Sequence, residues 1–321
     1  MQRPLLLSCL LAAACAAAAP AATAQAWPDR PIRIILGFAP GGQVDSSARI
    51  AAKILNDALG QPVTVENRAG AGGMIASTFV ARSAPDGYTL LVNATSDIIN
   101  PIVTKNAGYS IEKDFAPIGL IASSPNVLVV HPSIPAKSVA DVVDYARTHP
   151  VSYGSAGVNT VSHLAGALLS AMSGVPMTHV AYKGTGAAQV DLLSGRIAMM
   201  FDGTMTALPN AKLGKVRAIA VTSLERCTCA PELPTVAESG YPGYSLLPIF
   251  GLMAPAGTPP AVVGRISNVL QAALKTPAVR EQIAAIGAEP GRMGPDEYRR
   301  YLQTETERWT KLAAQGLLRS E

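Results

Sequence analysis

Apolar, β-branched runs alternate with helical stretches along most of this chain, and at two early junctions the join is made of glycine. Ile32–Leu36 leads into Phe38-Ala39-Pro40-Gly41-Gly42-Gln43-Val44-Asp45, and Val63–Val65 leads into Asn67-Arg68-Ala69-Gly70-Ala71-Gly72-Gly73. Alternation of this kind predicts an α/β fold with a largely parallel sheet. Turns without side chains at two helix starts leave backbone N–H groups uncovered at the positive ends of two helix dipoles. Such a place holds an anion, most simply a carboxylate.

The chain has 321 residues, about two domains' worth. Residues 1–26 read as a secretory signal: Arg3 is basic, Leu5 to Ala19 is almost wholly apolar, and Ala24-Gln25-Ala26 matches a cleavage site, which makes Trp27 the first mature residue. The apolar run is short for a membrane span, and no later stretch reaches that length. The mature chain is therefore expected to be exported to the periplasm. Lipid attachment at Cys15 stays open. Of four cysteines, Cys9 and Cys15 leave with the signal, and Cys227 and Cys229 remain as a local bridge or as two free thiols. The formal charge of +4 falls to +3 once Arg3 is removed. Its basic residues are scattered and aromatics are few, which excludes nucleic acid as a partner.

Along the mature chain, strands are predicted at Pro31–Leu36, Val63–Glu66 and Tyr88–Val92, with helices over Ser46–Leu59 and Ile75–Arg82. Two apolar runs follow, Ile118–Ile121 and Val127–Val130. A second series has helices at Val139–Thr148, Val161–Met172 and Ala187–Leu193, and strands at Val151–Gly154, Thr178–Ala181, Ile197–Phe201 and Val216–Val221. Leu246–Ala254 is a further apolar segment, and everything after Pro259 reads as helix. Crossing segments near Ser124–Val130 and Leu246–Ala254 would join two lobes by a hinge, with a cleft between them. Ligands of open α/β sheets sit beyond the carboxyl ends of the strands, where both glycine turns lie.

The second series repeats the device. Tyr153-Gly154-Ser155-Ala156-Gly157-Val158-Asn159-Thr160 is a hydroxyl-rich strand-to-helix turn with His163 one turn on, and Tyr182-Lys183-Gly184-Thr185-Gly186 opens another helix. Asp202 ends a buried strand. Each has a plainer reading: Asp45 serves the macrodipole, Thr160 or Asn159 caps a helix, His163 is packed, Lys183 is solvated, and Asp202 caps the next segment. Catalytic and cofactor patterns are poor. Ile75 stands where a dinucleotide fingerprint needs its third glycine, and no Gly-Lys-Ser/Thr occurs. The four histidines, at 131, 149, 163 and 179, lack metal-ligand spacing, so neither metal nor cofactor is expected. Ser155, His163 and Asp202 can be drawn as a triad, but nothing in their spacing supports its hydrogen-bond order. Backbone amides, hydroxyls and one acid read as a binding site.

In order and spacing, the chain resembles a known family over essentially its whole mature length. The anchors are Trp27-Pro28-Asp29-Arg30-Pro31, Pro40-Gly41-Gly42 with Asp45, Gly60-Gln61-Pro62 through Glu66-Asn67-Arg68, Ala84-Pro85-Asp86-Gly87-Tyr88 and Asp114-Phe115-Ala116-Pro117. Tyr153-Gly154-Ser155, His163-Leu164, Tyr182-Lys183-Gly184, Met200-Phe201-Asp202, Pro234 to Glu238 and Ala254 to Pro259 continue the match. It is similar to the Bug-type extracytoplasmic solute receptors, the binding components associated with tripartite tricarboxylate transporters.

That resemblance implies a type II periplasmic-binding-protein fold, with residues 27–124 plus 251–321 in one lobe and 125–250 in the other. It implies a monomeric, non-enzymatic receptor that closes on a small carboxylated solute and presents it to a membrane permease. Phe38, Gly41, Gly42, Asp45, Gly72 and Gly73 would hold one carboxylate, largely through backbone groups and ordered water, with Thr95 and Ser96 lining the same lobe. Ser155, Thr160, His163, Lys183 and Gly184 would hold the distal end, and Asp202 would meet a polar substituent. Two residues depart from the family pattern: Ala39 stands where proline is frequent, and Asn159-Thr160 where Gly-Ser is frequent. The second departure changes the distal pocket, so no relative's ligand transfers. Competing readings are a sensory receptor and a periplasmic hydrolase using Ser155.

Overall fold

A computed structural model describes residues 27–182 and 184–316. The leader with its cleavage site and Cys15, the side chain and backbone of Lys183, and residues 317–321 lie outside that description.

The first series runs β1 (Ile32–Leu36), α1 (Gln43–Leu59), β2 (Val63–Asn67), a 3-10 turn at Ala71–Gly73, α2 (Met74–Ala81), β3 (Thr89–Ala94), α3 (Thr95–Val103) and β4 (Phe115–Ser123). The second runs β5 (Asn126–Val130), α4 (Val139–Thr148), β6 (Ser152–Ser155), α5 (Val161–Ser173), β7 (Thr178–Ala181), α6 (Thr185–Leu193), β8 (Met199–Gly203), α7 (Thr204–Lys212) and β9 (Arg217–Val221). The chain then returns through β10 (Ile249–Pro255), α8 (Pro260–Leu274), α9 (Pro277–Ala285), β11 (Glu289–Pro290) and α10 (Pro295–Ala314).

The strands form two sheets, ordered β11-β4-β10-β3-β1-β2 and β7-β6-β8-β5-β9. The expected alternation is present, but the sheets are mixed rather than largely parallel. β1 is parallel to β2 and β3, and β6 to β7 and β8. β10 lies antiparallel between β3 and β4, and β5 antiparallel between β8 and β9. The cause is the crossing itself. β5 carries the chain into the second sheet and β10 carries it back, so each enters at the end where its neighbours leave.

This arrangement decides where the turns lie. Ser124 and Pro125 alone separate β4 from β5. On one side of that join Ser123 pairs with Ile249, and Ala94 at the end of β3 pairs with Phe250. On the other side Asn126 pairs with Gly203, the end of β8. The carboxyl ends of the parallel strands in both sheets therefore meet at one junction.

Burial follows the two periodicities. Ile32, Ile34 and Leu36 face one apolar cluster under α1 and α8, while Ile35 and Leu91 face the other, which continues into the second sheet through Leu128, Tyr153 and Phe201. On α1, Ala48, Ala51, Ala52, Leu55 and Leu59 give the buried stripe, and Gly60 in the left-handed region ends the helix with its N–H on the Asn56 carbonyl. Two helices escape the sequence pattern because each contains a proline: Pro101 in α3 and Pro209 in α7. The expectation of helix alone after Pro259 also fails. β11 adds a short antiparallel edge to β4, the place in a sheet where Pro290 is tolerated.

Candidate functional site

The two glycine turns of the first sheet are stacked on each other. A Cβ on Gly37 would lie 2.3 Å from the Cα of Gly73, and a Cβ on Gly73 would lie 2.8 Å from Asp97 Oδ1. Only bare backbone allows the end of β1, the start of α2 and the start of α3 to approach so closely. Asn67, the last residue of β2, ties the layers by donating to the Phe38 carbonyl at 3.0 Å and to Asp45 Oδ1 at 2.9 Å. Asn100 on α3 donates to the Gly72 carbonyl at 3.0 Å. Gly41, with φ +91°, and Gly42, at the N-cap of α1, meet nothing within 4 Å where a side chain would stand. Their amide-rich face is open.

Asp45 sits beneath that face rather than on it. It is 3% exposed, and its carboxylate accepts from Gly41 N–H, from both ends of the Arg49 guanidinium and from Asn67. Burial pushes its pKa up, but the bonds from Arg49, Asn67 and Gly41 outweigh this and hold it below the usual carboxylate value. Its oxygens shape the turn.

Thr95 and Ser96 open α3, directly after the end of β3. Thr95 Oγ1 donates to the Leu247 carbonyl at 3.3 Å and accepts from Ile249 N–H at 3.0 Å, so it grips the returning segment. Ser96 Oγ is buried without a partner among the described residues. Beside it Asp97 is fully buried, accepts from Ala94 N–H at 2.7 Å and from Ser77 Oγ at 2.6 Å, and is pushed up to about 6 by desolvation.

The second sheet presents its own cluster. Thr160 is the N-cap of α5, accepting from His163 N–H and donating to the Gly157 carbonyl at 2.6 Å. Asn159 adopts φ +58°, and its Oδ1 is buried without a partner among the described residues. His163 Nδ1 accepts from Asn159 N–H at 3.1 Å, and its ring stacks on His179 at 4.0 Å. Burial, and then the neighbouring His179, lower its pKa to about 4. Gly184, the N-cap of α6, has φ +107° and faces open space, while its N–H donates to the Ala156 carbonyl. Asp202 accepts from Gln189 Nε2 and Thr206 Oγ1, both at 2.8 Å, and burial raises its pKa.

The triad drawn from Ser155, His163 and Asp202 is not assembled. Ser155 is fully buried and its Oγ lies 2.6 Å from His179 Nε2, with a further bond to the Gly157 carbonyl. His163 is engaged by Asn159, and Asp202 by α6 and α7. Cys227 and Cys229 form a disulfide, which resolves the open alternative in favour of the local bridge. Among the described residues no group of three or more His, Cys, Asp or Glu could hold a metal, and no helix is long and apolar enough to cross a membrane.

Phe38, Gly41, Gly42, Asp45, Gly72, Gly73, Thr95 and Ser96 are thus gathered on the first sheet, and Ser155, Thr160, His163, Gly184 and Asp202 on the second; Lys183 is outside the described residues. The clusters meet at their base, where a Cβ on Gly203 would stand 3.6 Å from Gln43 Oε1. Gln43 begins α1 and also donates to Ser124 Oγ at 2.9 Å and to the Ile286 carbonyl at 3.1 Å. Sequence reasoning missed Asn67, Asp97, Asn100 and Gln189 as the residues that hold these turns. For Asn67 a signal existed: an amide side chain at the last position of a strand, directly before a glycine turn.

A family model described as the tripartite tricarboxylate transporter family receptor matches residues 47–317. A structure from R. palustris, Rpa4515 with adipate, superposes with a TM-score of 0.81 at 36% identity, covering 90% of this chain and 97% of that one. The periplasmic binding protein BugD gives 0.79 at 35% identity, with 92% and 100% covered. MatC of Rhodopseudomonas palustris with bound malate gives 0.78 at 32% identity, with 89% and 99% covered.

Proposed function

The chain belongs to the tripartite tricarboxylate transporter receptor family, and from that premise we propose that it captures a small carboxylated solute in the periplasm and delivers it to a membrane permease. In this reading residues 27–124 and, from the start of β10, residues 249–316 form one lobe, where the sequence alone suggests a boundary at 251, and residues 125–248 form the other, hinged where the chain crosses at Ser124–Pro125 and again before β10. The amides of Gly42 and Gly72 take one carboxylate, in turns whose shape the bonds of Gly41 N–H to Asp45 and of Gly73 N–H to the Gly70 carbonyl hold. Thr160, the NH2 group of the Asn159 side chain and Lys183, beside Gly184, take the distal end. The Ser96 hydroxyl, buried and unpartnered among the described residues, donates to the solute when it arrives. A ligand touching both lobes favours the closed form, because only differential affinity shifts such an equilibrium.

One observation carries this reading. Gly42 is bare on open space at a helix start, and its neighbour Gln43 abuts Gly203 of the other sheet. The related structures holding adipate and malate support a dicarboxylic acid as ligand. No catalytic step belongs to the reading, since the buried Ser155 hydroxyl is bonded to His179 and lacks the drawn triad. The protein acts as an exported monomer, after cleavage behind Ala26.

Calorimetric titration with adipate, malate and a panel of organic acids tests it, using wild type and Gly42→Val. Gly42 has φ −86° and free space around it, so valine there folds normally yet covers the amides. We expect one of the acids to bind and Gly42→Val to lose at least about tenfold in affinity, ~1.4 kcal/mol. No acid bound, or equal affinity in the variant, rejects the assignment.

A further inference from the structure

An open groove of about 1200 Å³ runs along the outer face of α2, from Arg68 and Ala71 of the second glycine turn to Arg30, Arg33 and Tyr88 at the amino-terminal ends of β1 and β3. Its origin is geometric. α2 has only eight residues, roughly 12 Å of helix, and leaves the amino-terminal half of that sheet face uncovered. On this face Arg33 takes the place where β1 otherwise carries core residues.

Four arginines line the groove: Arg30, Arg33, Arg68 and Arg82. Two are held rigidly. Arg68 lies over the Phe79 ring at 3.5 Å and pairs with Glu66 at 2.6 Å, and Arg30 lies over Tyr88 at 4.1 Å and pairs with Asp86 at 2.8 Å. Arg33 reaches Glu66 only at 4.0 Å, and Arg82 makes no ion pair among the described residues. Two carboxylates against four guanidinium groups leave the groove with net positive charge. Ile75, 52% exposed and with its side chain beside Gly70, also lines the groove and adds an apolar surface to it.

We propose that this groove docks an acidic segment of a partner protein, one whose carboxylates alternate with apolar side chains. Stacked and paired guanidinium groups keep free N–H donors aimed outward in fixed geometry, as recognition of carboxylates requires. Ile75 supplies the apolar anchor that charge alone lacks. The volume exceeds the range of about 300–1,000 Å³ typical for a small ligand, and the groove is open along its length, so it fits a chain segment better than an organic acid. It starts at the second glycine turn and extends to the amino-terminal ends of β1 and β3, the opposite end of β1 from Gly37.

The test is fluorescence anisotropy with a labelled dodecapeptide in which leucine interrupts glutamate at every third position. Its counterpart with lysine for glutamate serves as control, and wild type is compared with Arg33→Glu/Arg82→Glu and Ile75→Asp. These residues are exposed, and an unchanged melting temperature checks the fold of each variant. We expect the acidic peptide alone to bind, more weakly as salt rises, with at least about tenfold loss in each variant and no change in Gly42→Val. Absence of binding, equal binding of the lysine peptide, or insensitivity to the arginine changes overturns the proposal. So does full displacement by free citrate, which would mark a small-anion site. Self-association of the protein that Arg33→Glu/Arg82→Glu abolishes overturns it too, by giving the groove to a second copy of this chain.

Discussion

Gly37 and Gly73 come so close that a Cβ on the first would fall 2.3 Å from the Cα of the second. The contact is between backbones, so no side-chain rotation can relieve it. Gly37→Ala is therefore expected to destabilise the protein by about 1–3 kcal/mol or more. Gly42→Ala, on open space with an ordinary φ, is expected to change stability by less than about 0.5 kcal/mol. Urea unfolding of the two variants separates a turn that must be bare for packing from one that is bare for another reason. Equal stability of both would show that the turns are not stacked.

Much of this fold was legible from periodicity. The helix expected over 46–59, which in the structure starts three residues earlier at Gln43, the helix over 139–148 and the strand at 178–181 follow from spacing and caps that act locally. What escaped was decided by the chain's long-range path. Nothing local in Leu246–Ala254 says that β10 inserts antiparallel between β3 and β4, because that depends on the chain having visited another sheet first. Pro101 and Pro209 hid two helices that neighbouring structure tolerates. At the site the glycines were visible and their supports were not. Asp45 reads in sequence as an acid offered to a ligand, yet Arg49, Asn67 and Gly41 consume its oxygens.

Asp45→Asn tests that last point. Asparagine keeps the size and loses the charge-assisted bonds, so a loss of about 1.5–3 kcal/mol in stability is expected. The folded pKa is depressed, so this stability is present above the unfolded carboxylate value near 3.8 and disappears as pH falls through the lower folded value. Chemical unfolding of wild type and variant should therefore converge in strong acid. A constant difference down to that range would count against the bracket.

Asp97 works in the opposite sense. Desolvation raises it to about 6, so between 3.8 and 6 the folded chain binds more protons than the unfolded one. Stability contributed here falls as pH rises through that window. The stability of Asp97→Asn should therefore gain on that of wild type as pH rises from 4 to 6, whatever other groups add to both profiles. A difference that does not change with pH across that window would place the effect elsewhere.

His163 titrates across nearly the same range with the reverse sign. Its folded pKa is about 4 against 6.5 for a free imidazole, so the unfolded chain binds the extra proton. Its contribution is fully present above 6.5 and is lost as pH falls towards 4. Protonation would also end the bond that Nδ1 accepts from Asn159 N–H, and with it the shape of the distal turn. His163→Asn keeps an acceptor near that position and does not titrate. As pH is lowered from about 5 through the folded value near 4, its ligand affinity should fall less than that of wild type; parallel declines would remove His163 from the explanation.

Thr228, enclosed between the two bonded cysteines, donates through both N–H and Oγ1 to Glu289 Oε1, at 2.9 and 2.8 Å. Glu289 is paired with Ser123, the residue before the join, so a loop following β9 of the second sheet clasps the edge of the first. The disulfide closes a ring of very few residues and removes little entropy from the unfolded chain, so Cys227→Ser/Cys229→Ser should change global stability by less than about 1 kcal/mol. Its local effect should be larger. Without the bridge, Thr228 is free to turn from Glu289, and exchange of its amide hydrogen should quicken on the order of tenfold, as it should in Glu289→Ala. Hydrogen exchange read at Thr228 decides the matter: protection that survives both changes would mean that neither the bridge nor the carboxylate holds the clasp.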